Sequence, residues 1–318
     1  MSLCKIQRPI KELFENYKLA SHKGFGDRTS KKCETIENYK MGKIKGKLKT
    51  IMMPFIRIVL IPYRLRLALS YYNKPLKNIF IWLIKSKEHT NFTYELEDIN
   101  KEYLVSLISV ITKVDIYRVK DYILEIEQDE QLREHIRRLT ISSSKRYVAD
   151  MTAKYSQRIG WYAMIRIKKP KIVIETGIDK GLGACINTAA LMKNIKEGFN
   201  GYYYGTDINE NAGYLFKEPY NKYGKILYGD SIESLKKLTE PIDMFIHSVF
   251  HSSEYEMNEY KTIKEKLTED ALIISHRAHI DKELYNFAIL TNRNFIYFQE
   301  KPKLHWYPGA GMGIAFKK

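Results

Sequence analysis

The chain has 318 residues, 44% of them hydrophobic and 28% charged. That length suits one large domain or two modest ones, and that balance excludes wholesale disorder. The three cysteines, Cys4, Cys33 and Cys185, are too few and too scattered for a disulfide framework or a four-thiolate zinc site, so a reducing cytoplasm is the expected home.

The net charge of +16 is concentrated at one end. Residues 1–90 hold 20 Lys/Arg against 6 Asp/Glu, whereas residues 91–318 hold 33 against 31. From Asn38 to Lys87 there are twelve basic residues and no acidic one. Such a segment seeks an anionic surface: lipid head groups, nucleic acid or a phosphorylated ligand. Lys11, Glu12 and Glu15 fall where a secretory signal would need its apolar run. No stretch reaches the ~18 uncharged apolar residues of a spanning helix. The nearest, Ile51–Tyr63, is interrupted by Pro54, Arg57 and Pro62.

In chain order, residues 1–50 read as irregular, with Gly24, Gly26, Gly42 and Gly46 among lysines. Residues 51–87 mix apolar groups with Arg57, Arg64, Lys74, Lys77 and Lys85. Two readings stay open there: a basic amphipathic segment lying on a membrane, or a pair of helices covering an apolar face of the main domain. Helices are expected through Leu104, Leu107, Ile108 and Ile111, then through Val119, Tyr122, Ile123 and Ile126, with Asp115 as the N-cap between them. A third carries Leu132, Ile136 and Leu139, and Ser142-Ser143-Ser144 ends it. Tyr155–Ile167 reads as one more helix, stopped before Pro170.

From Lys171 short apolar runs alternate with helical stretches: 171–176, 202–207, 225–230, 243–248, 271–276, 295–300 and 312–317. This predicts a Rossmann-like α/β fold, a seven-stranded, mostly parallel sheet with an antiparallel last hairpin. The expected division is a basic arm over 1–90, a helical region over 91–150 and a ligand-binding α/β domain over 151–318.

The first strand runs into Glu175-Thr176-Gly177-Ile178-Asp179-Lys180-Gly181-Leu182-Gly183. A glycine-rich turn between a buried strand and a helix lets backbone approach a ligand closely. Its spacing is neither the dinucleotide fingerprint nor a P-loop. The second strand ends at Asp207 and the third at Gly229-Asp230-Ser231. A carboxylate at Asp207 can accept from two ribose hydroxyls, and one at Asp230 from an adenine amine; either can instead be a helix N-cap.

These motifs resemble the class I S-adenosylmethionine-dependent methyltransferases over about Ser156–Lys318. More narrowly, the Glu175–Gly183 turn, Gly229-Asp230-Ser231, Ile246–His251 and the tail Phe298–Pro302 with His305–Gly309 are similar to the cephalosporin hydroxylase-type methyltransferases found beside antibiotic and surface-glycan genes. The resemblance implies S-adenosylmethionine as cofactor. Glu175, Gly177, Gly181 and Gly183 would hold its methionine part, Asp207 its ribose, and Asp230 would lie near its adenine. The chain departs from that family where the fourth strand ends in Ser248-Val249-Phe250-His251 and the fifth in Ser275-His276-Arg277, without the acidic pairs usual there. Histidine stands in their place, so His251 and His276 are the candidate catalytic bases and no metal site is expected. His247 reads as a core residue and His279 as a surface one.

The expected function is methyl transfer to an oxygen of a small molecule or glycan. The alternative is a non-catalytic cofactor-binding protein tethered to a membrane or a complex by residues 40–87. Nucleic acid is disfavoured as a partner, because no Asn/Asp-Pro-Pro-aromatic motif follows the fourth strand. Localisation is expected in the cytoplasm, with residence at a membrane surface if the arm binds lipid.

Overall fold

The structure is a computed structural model that describes residues 58, 60–89, 93–249 and 252–317. The chain divides into two units, Met1–Leu69 and Ser70–Lys318. The charge run before Ile58 and the candidate base His251 lie outside the described residues. In the first unit the described residues Ile61, Tyr63 and Leu65 are exposed on helix α1, which runs Ile61–Lys85.

In the second unit α1 continues through Pro75, so the described part of the 51–87 segment is one helix and not two. Proline costs a helical hydrogen bond and counts against such continuity in a sequence reading. One edge of the helix is packed: Asn78 Nδ2 donates to the His305 carbonyl at 3.1 Å, and the Trp82 ring meets Trp306 edge-on at 5.4 Å. Tyr71, Tyr72, Phe80 and Leu83 are exposed. Among the described residues no helix is long and apolar enough to cross a membrane.

Helices α2 (Asp98–Thr112), α3 (Ile116–Glu127) and α4 (Glu130–Ser142) follow where apolar residues recur at helical spacing. Asp115 caps α3 by accepting from the Tyr117 N–H, and Asp129 caps α4 by accepting from the Leu132 N–H. Helix α5 (Arg158–Lys168) is buried from Ile159 to Arg166. Its one buried charge in that stretch, Arg166, is met by Glu125 at 2.8 Å and Glu197 at 2.5 Å. The helix ends at Lys169 in the left-handed conformation, ahead of Pro170.

The sheet is built from β1 (Ile172–Thr176), β2 (Tyr202–Asp207), β3 (Gly224–Tyr228), β4 (Ile242–His247), β5 (Leu267–Ser275), β6 (Asn294–Gln299) and β7 (Gly311–Phe316). Their order is β3-β2-β1-β4-β5-β7-β6. The first five strands are parallel to one another; β7 is antiparallel to both β5 and β6. Side chains alternate between faces with period two. Val173, Tyr203, Met244, Ile246 and Ile274 therefore pack with α2–α5 and with α6 (Leu182–Lys196) on one side. Ile174, Tyr204, Phe245, Ile273 and Ala315 pack on the other with α7 (Ser231–Lys237), α8 (Ser253–Ile263) and α9 (Glu283–Leu290). Each fully buried aliphatic or aromatic side chain contributes roughly 1.5–3 kcal/mol.

This order has one consequence for function. The sheet grows outward from β1 in both directions, to β2 on one side and β4 on the other. The crevice over the carboxyl ends of β1 and β4 is the place where open α/β sheets bind ligands.

Candidate active site

The turn after β1 is built around backbone that side chains would obstruct. Gly177 has φ +78°, and its N–H donates to the Thr206 carbonyl at 2.9 Å. A Cβ there would overlap the Val249 side chain and come within 3.0 Å of Val249 Cα. Gly181, φ +87°, is the N-cap of α6, with its Cα side against Gly213. At Gly183 a Cβ would overlap Glu175 Oε1 and lie 2.7 Å from Oε2. The glycines thus hold strand end, loop and helix start in close contact.

Glu175 is 2% exposed. The Tyr203 hydroxyl donates to its Oε2 at 2.7 Å and Asn187 Nδ2 donates to the same oxygen at 3.1 Å. Burial pushes its carboxyl up to about 7, against those two hydrogen bonds and the charge of Arg158. On the next strand, Asp207 Oδ2 accepts from the Asp179 N–H at 3.0 Å and Oδ1 from the Asn209 N–H at 2.9 Å. Each oxygen keeps acceptor capacity for a further donor. Asp230 is the N-cap of α7, accepting from the Glu233 N–H at 2.9 Å, and it also accepts from the Tyr255 hydroxyl at 2.8 Å. The capping alternative is therefore realised at Asp230. Partial burial works against its charge, but these hydrogen bonds outweigh it and hold the carboxyl below its usual range.

A cavity of about 290 Å³ opens beside the turn. Glu175, Gly177, Gly183 and His276 line it, so four of the residues singled out from sequence converge. Gly181 stands next to it at the helix start, and Asp207 supports its wall through the Asp179 N–H. Ser248, Lys180 and Arg158 also line it. Nothing in the sequence reading pointed to Arg158, which lies before β1, outside the glycine turn.

His276 is held by neighbours far along the chain. Its N–H donates to the His247 carbonyl at 2.9 Å, which joins the ends of β4 and β5. With the Gln157 amide oriented so that its nitrogen faces the Glu300 carboxylate, the amide oxygen lies 2.9 Å from His276 Nε2. That arrangement puts the ring proton on Nε2. Glu300 is fully buried and also accepts from the Gln157 N–H at 2.9 Å and the Tyr94 hydroxyl at 2.7 Å. Burial, reinforced by the charge of Arg158, pulls the His276 ring down to about 3. At neutral pH it is an uncharged imidazole and a weak base.

His247 is fully buried, as a core residue should be, yet it is not bare: its Nδ1 lies 2.6 Å from Glu259 Oε2 and its Nε2 3.4 Å from Glu256 Oε2. Thr176 donates to Glu259 at 3.0 Å and Ser275 to Glu256 at 2.8 Å, so this cluster stitches the ends of β1, β4 and β5 to α8. Burial raises the Glu256 carboxyl. His279 is exposed. Among the described residues no group of three or more His, Cys, Asp or Glu side chains is arranged to hold a metal ion.

Comparison with known proteins matches residues 174–277, about a third of the chain, to a family described as a methyltransferase domain. No curated protein matches the chain. Among solved structures it is similar to an O-methyltransferase of Streptomyces achromogenes involved in tomaymycin synthesis, in complex with SAM, at 13% identity and TM-score 0.46 over 58% of this chain and 90% of that one. It is also similar to an O-methyltransferase of Bacillus cereus in complex with SAH, at 11% identity and TM-score 0.40 over 68% of this chain and 97% of that one. An SAH-bound Podospora anserina methyltransferase gives 15% identity and TM-score 0.41 over 59% and 88%. The matched segment runs from β1 to the end of β5 and contains the glycine turn, Asp207 and Asp230, and over these residues the chain is similar to that methyltransferase domain.

Proposed function

We propose that the chain transfers a methyl group from S-adenosylmethionine to an oxygen of a small molecule or a glycan. The observation that carries this is the cavity at the β1/β4 switch point, walled by Glu175, Gly177 and Gly183 and flanked by the Asp207 carboxylate on the adjacent strand. The group fits the residues: the glycines leave room that a Cβ would fill, and the two Asp207 oxygens keep acceptor capacity. When bound, S-adenosylmethionine supplies a methyl group on a sulfonium leaving group. Asp207 accepts hydrogen bonds from the ribose hydroxyls, Glu175 and the glycine turn receive the methionine part, and Asp230 borders the adenine. His276 accepts a hydrogen bond from the acceptor hydroxyl and orients it, and positioning contributes most of the acceleration. Proton removal falls to His251 in this reading, since a ring held near 3 does not keep a proton at neutral pH. The exposed apolar side chains of α1, continuous in sequence with twelve basic residues and no acidic one, suit the surface of an anionic membrane.

One observation favours the second reading, a non-catalytic cofactor-binding protein. The described residues of the cavity bring Ser248 and a neutral His276 to the place where the related family has acids. Calorimetric titration with S-adenosylmethionine, followed by a methyl-transfer assay against hydroxylated acceptors with His251→Ala as control, separates the two. Binding with turnover that His251→Ala abolishes supports the enzyme. Binding without turnover supports the second reading, and no binding removes both.

A further inference from the structure

Arg158 opens α5, sixteen residues before the segment that matches the methyltransferase family. Its side chain lines the same cavity as Glu175, Gly177 and Gly183. Among the described residues it forms no ion pair. Its guanidinium donates to Ser156 Oγ at 3.1 Å and lies 5.3 Å over the Trp161 ring, and its Nε is buried without a hydrogen-bond partner. Lys180, the other cation of the cavity wall, is engaged by Glu88 at 3.2 Å. A buried guanidinium N–H without an acceptor is costly, and the planar fork of arginine matches a carboxylate bidentately.

We infer that Arg158 is the anion-binding residue of this cavity, taking the carboxylate of the cofactor's methionine part while Glu175 takes its ammonium group. The assignment rests on the cofactor reading above and follows from charge. The methionine end of S-adenosylmethionine carries one anion, its carboxylate, and two cations, its ammonium and its sulfonium. A guanidinium repels both cations, so only the carboxylate can approach it. Glu175, of opposite charge, is the buried carboxylate of the same wall, where Asp179 is exposed. Arg158 and Glu175 thus form a complementary pair of contacts for a zwitterion, one from the helix before the sheet and one from its first strand.

The test uses the full chain and two ligands, S-adenosylmethionine and its decarboxylated form, which keeps the amine and the sulfonium. The wild type should bind the decarboxylated ligand about 10- to 100-fold more weakly. Arg158→Ala should weaken S-adenosylmethionine by about the same factor and the decarboxylated ligand less than about threefold, with Arg158→Lys between the two. Thermal melting of each variant reports whether the fold is kept. Arg158→Ala with wild-type affinity for S-adenosylmethionine overturns the assignment and leaves the cofactor reading standing; the guanidinium would then serve an anionic acceptor. Equal weakening of both ligands overturns it in favour of a structural role. A wild type that binds neither ligand overturns the cofactor reading, and this assignment with it.

Discussion

Replacing Gly183 by alanine sets a methyl group where the Glu175 carboxylate sits. The new Cβ would overlap Oε1 and approach Oε2 to 2.7 Å and Cδ to 2.8 Å. A flexible surface glutamate would swing aside, but this one is 2% exposed and anchored by Tyr203 and Asn187. Moving it forfeits two hydrogen bonds to a carboxylate, about 1.5–3 kcal/mol each. Alanine over glycine in a helix returns at most about 1 kcal/mol. The expected net loss is about 2–5 kcal/mol of folding stability, read from urea unfolding. Cofactor affinity should fall as well, because the same carboxylate walls the cavity. A double-mutant cycle isolates the cause: once Glu175→Ala has removed the carboxylate, adding Gly183→Ala should cost less than about 1 kcal/mol. Wild-type stability for Gly183→Ala, or strict additivity with Glu175→Ala, would refute the reasoning.

Three further outcomes are expected. Glu175 titrates near 7 in the folded chain against an ordinary 4.5, so the folded state holds the proton more tightly; this group's contribution therefore falls as pH rises from about 4.5 to about 7, by about 1.4 kcal/mol per unit, and Glu175→Gln should flatten that slope in urea unfolding at pH 5, 6 and 7. Asp207→Asn keeps the side-chain shape but removes the charge, and should weaken S-adenosylmethionine by about 1.5–3 kcal/mol in calorimetry; unchanged affinity takes Asp207 out of the site. Phe80→Glu with Leu83→Glu changes only exposed positions of α1, and should reduce binding to anionic vesicles while leaving the melting temperature in place. The electrostatic part of wild-type binding should decline with salt as the Debye length shrinks from ~10 Å to ~3 Å, and full-length protein that ignores anionic vesicles removes the membrane assignment.

The elements readable from sequence are those whose signal is local. β1, β2 and β4 are runs of buried aliphatic and aromatic residues, and such runs place a strand to within a residue or two wherever both sheet faces are covered. Asp115 caps its helix because a side chain two residues from its N–H donor needs no tertiary help. The glycine turn is equally local: Gly177 and Gly181 stand at positive φ, which other residues rarely adopt. Only the tertiary structure decided what lies farther apart along the chain. Gln157 and Glu300 are 143 residues apart, yet the pair holds the His276 side chain, which burial and the charge of Arg158 keep an uncharged ring at neutral pH. His247 stands on a strand whose alternation marks it as core, but its glutamate partners come from α8 and are set by how that helix packs on the sheet. Arg158 carries no motif at all; it belongs to the cavity because α5 begins beside the carboxyl end of β1, and packing, which no window of a few residues contains, puts it there.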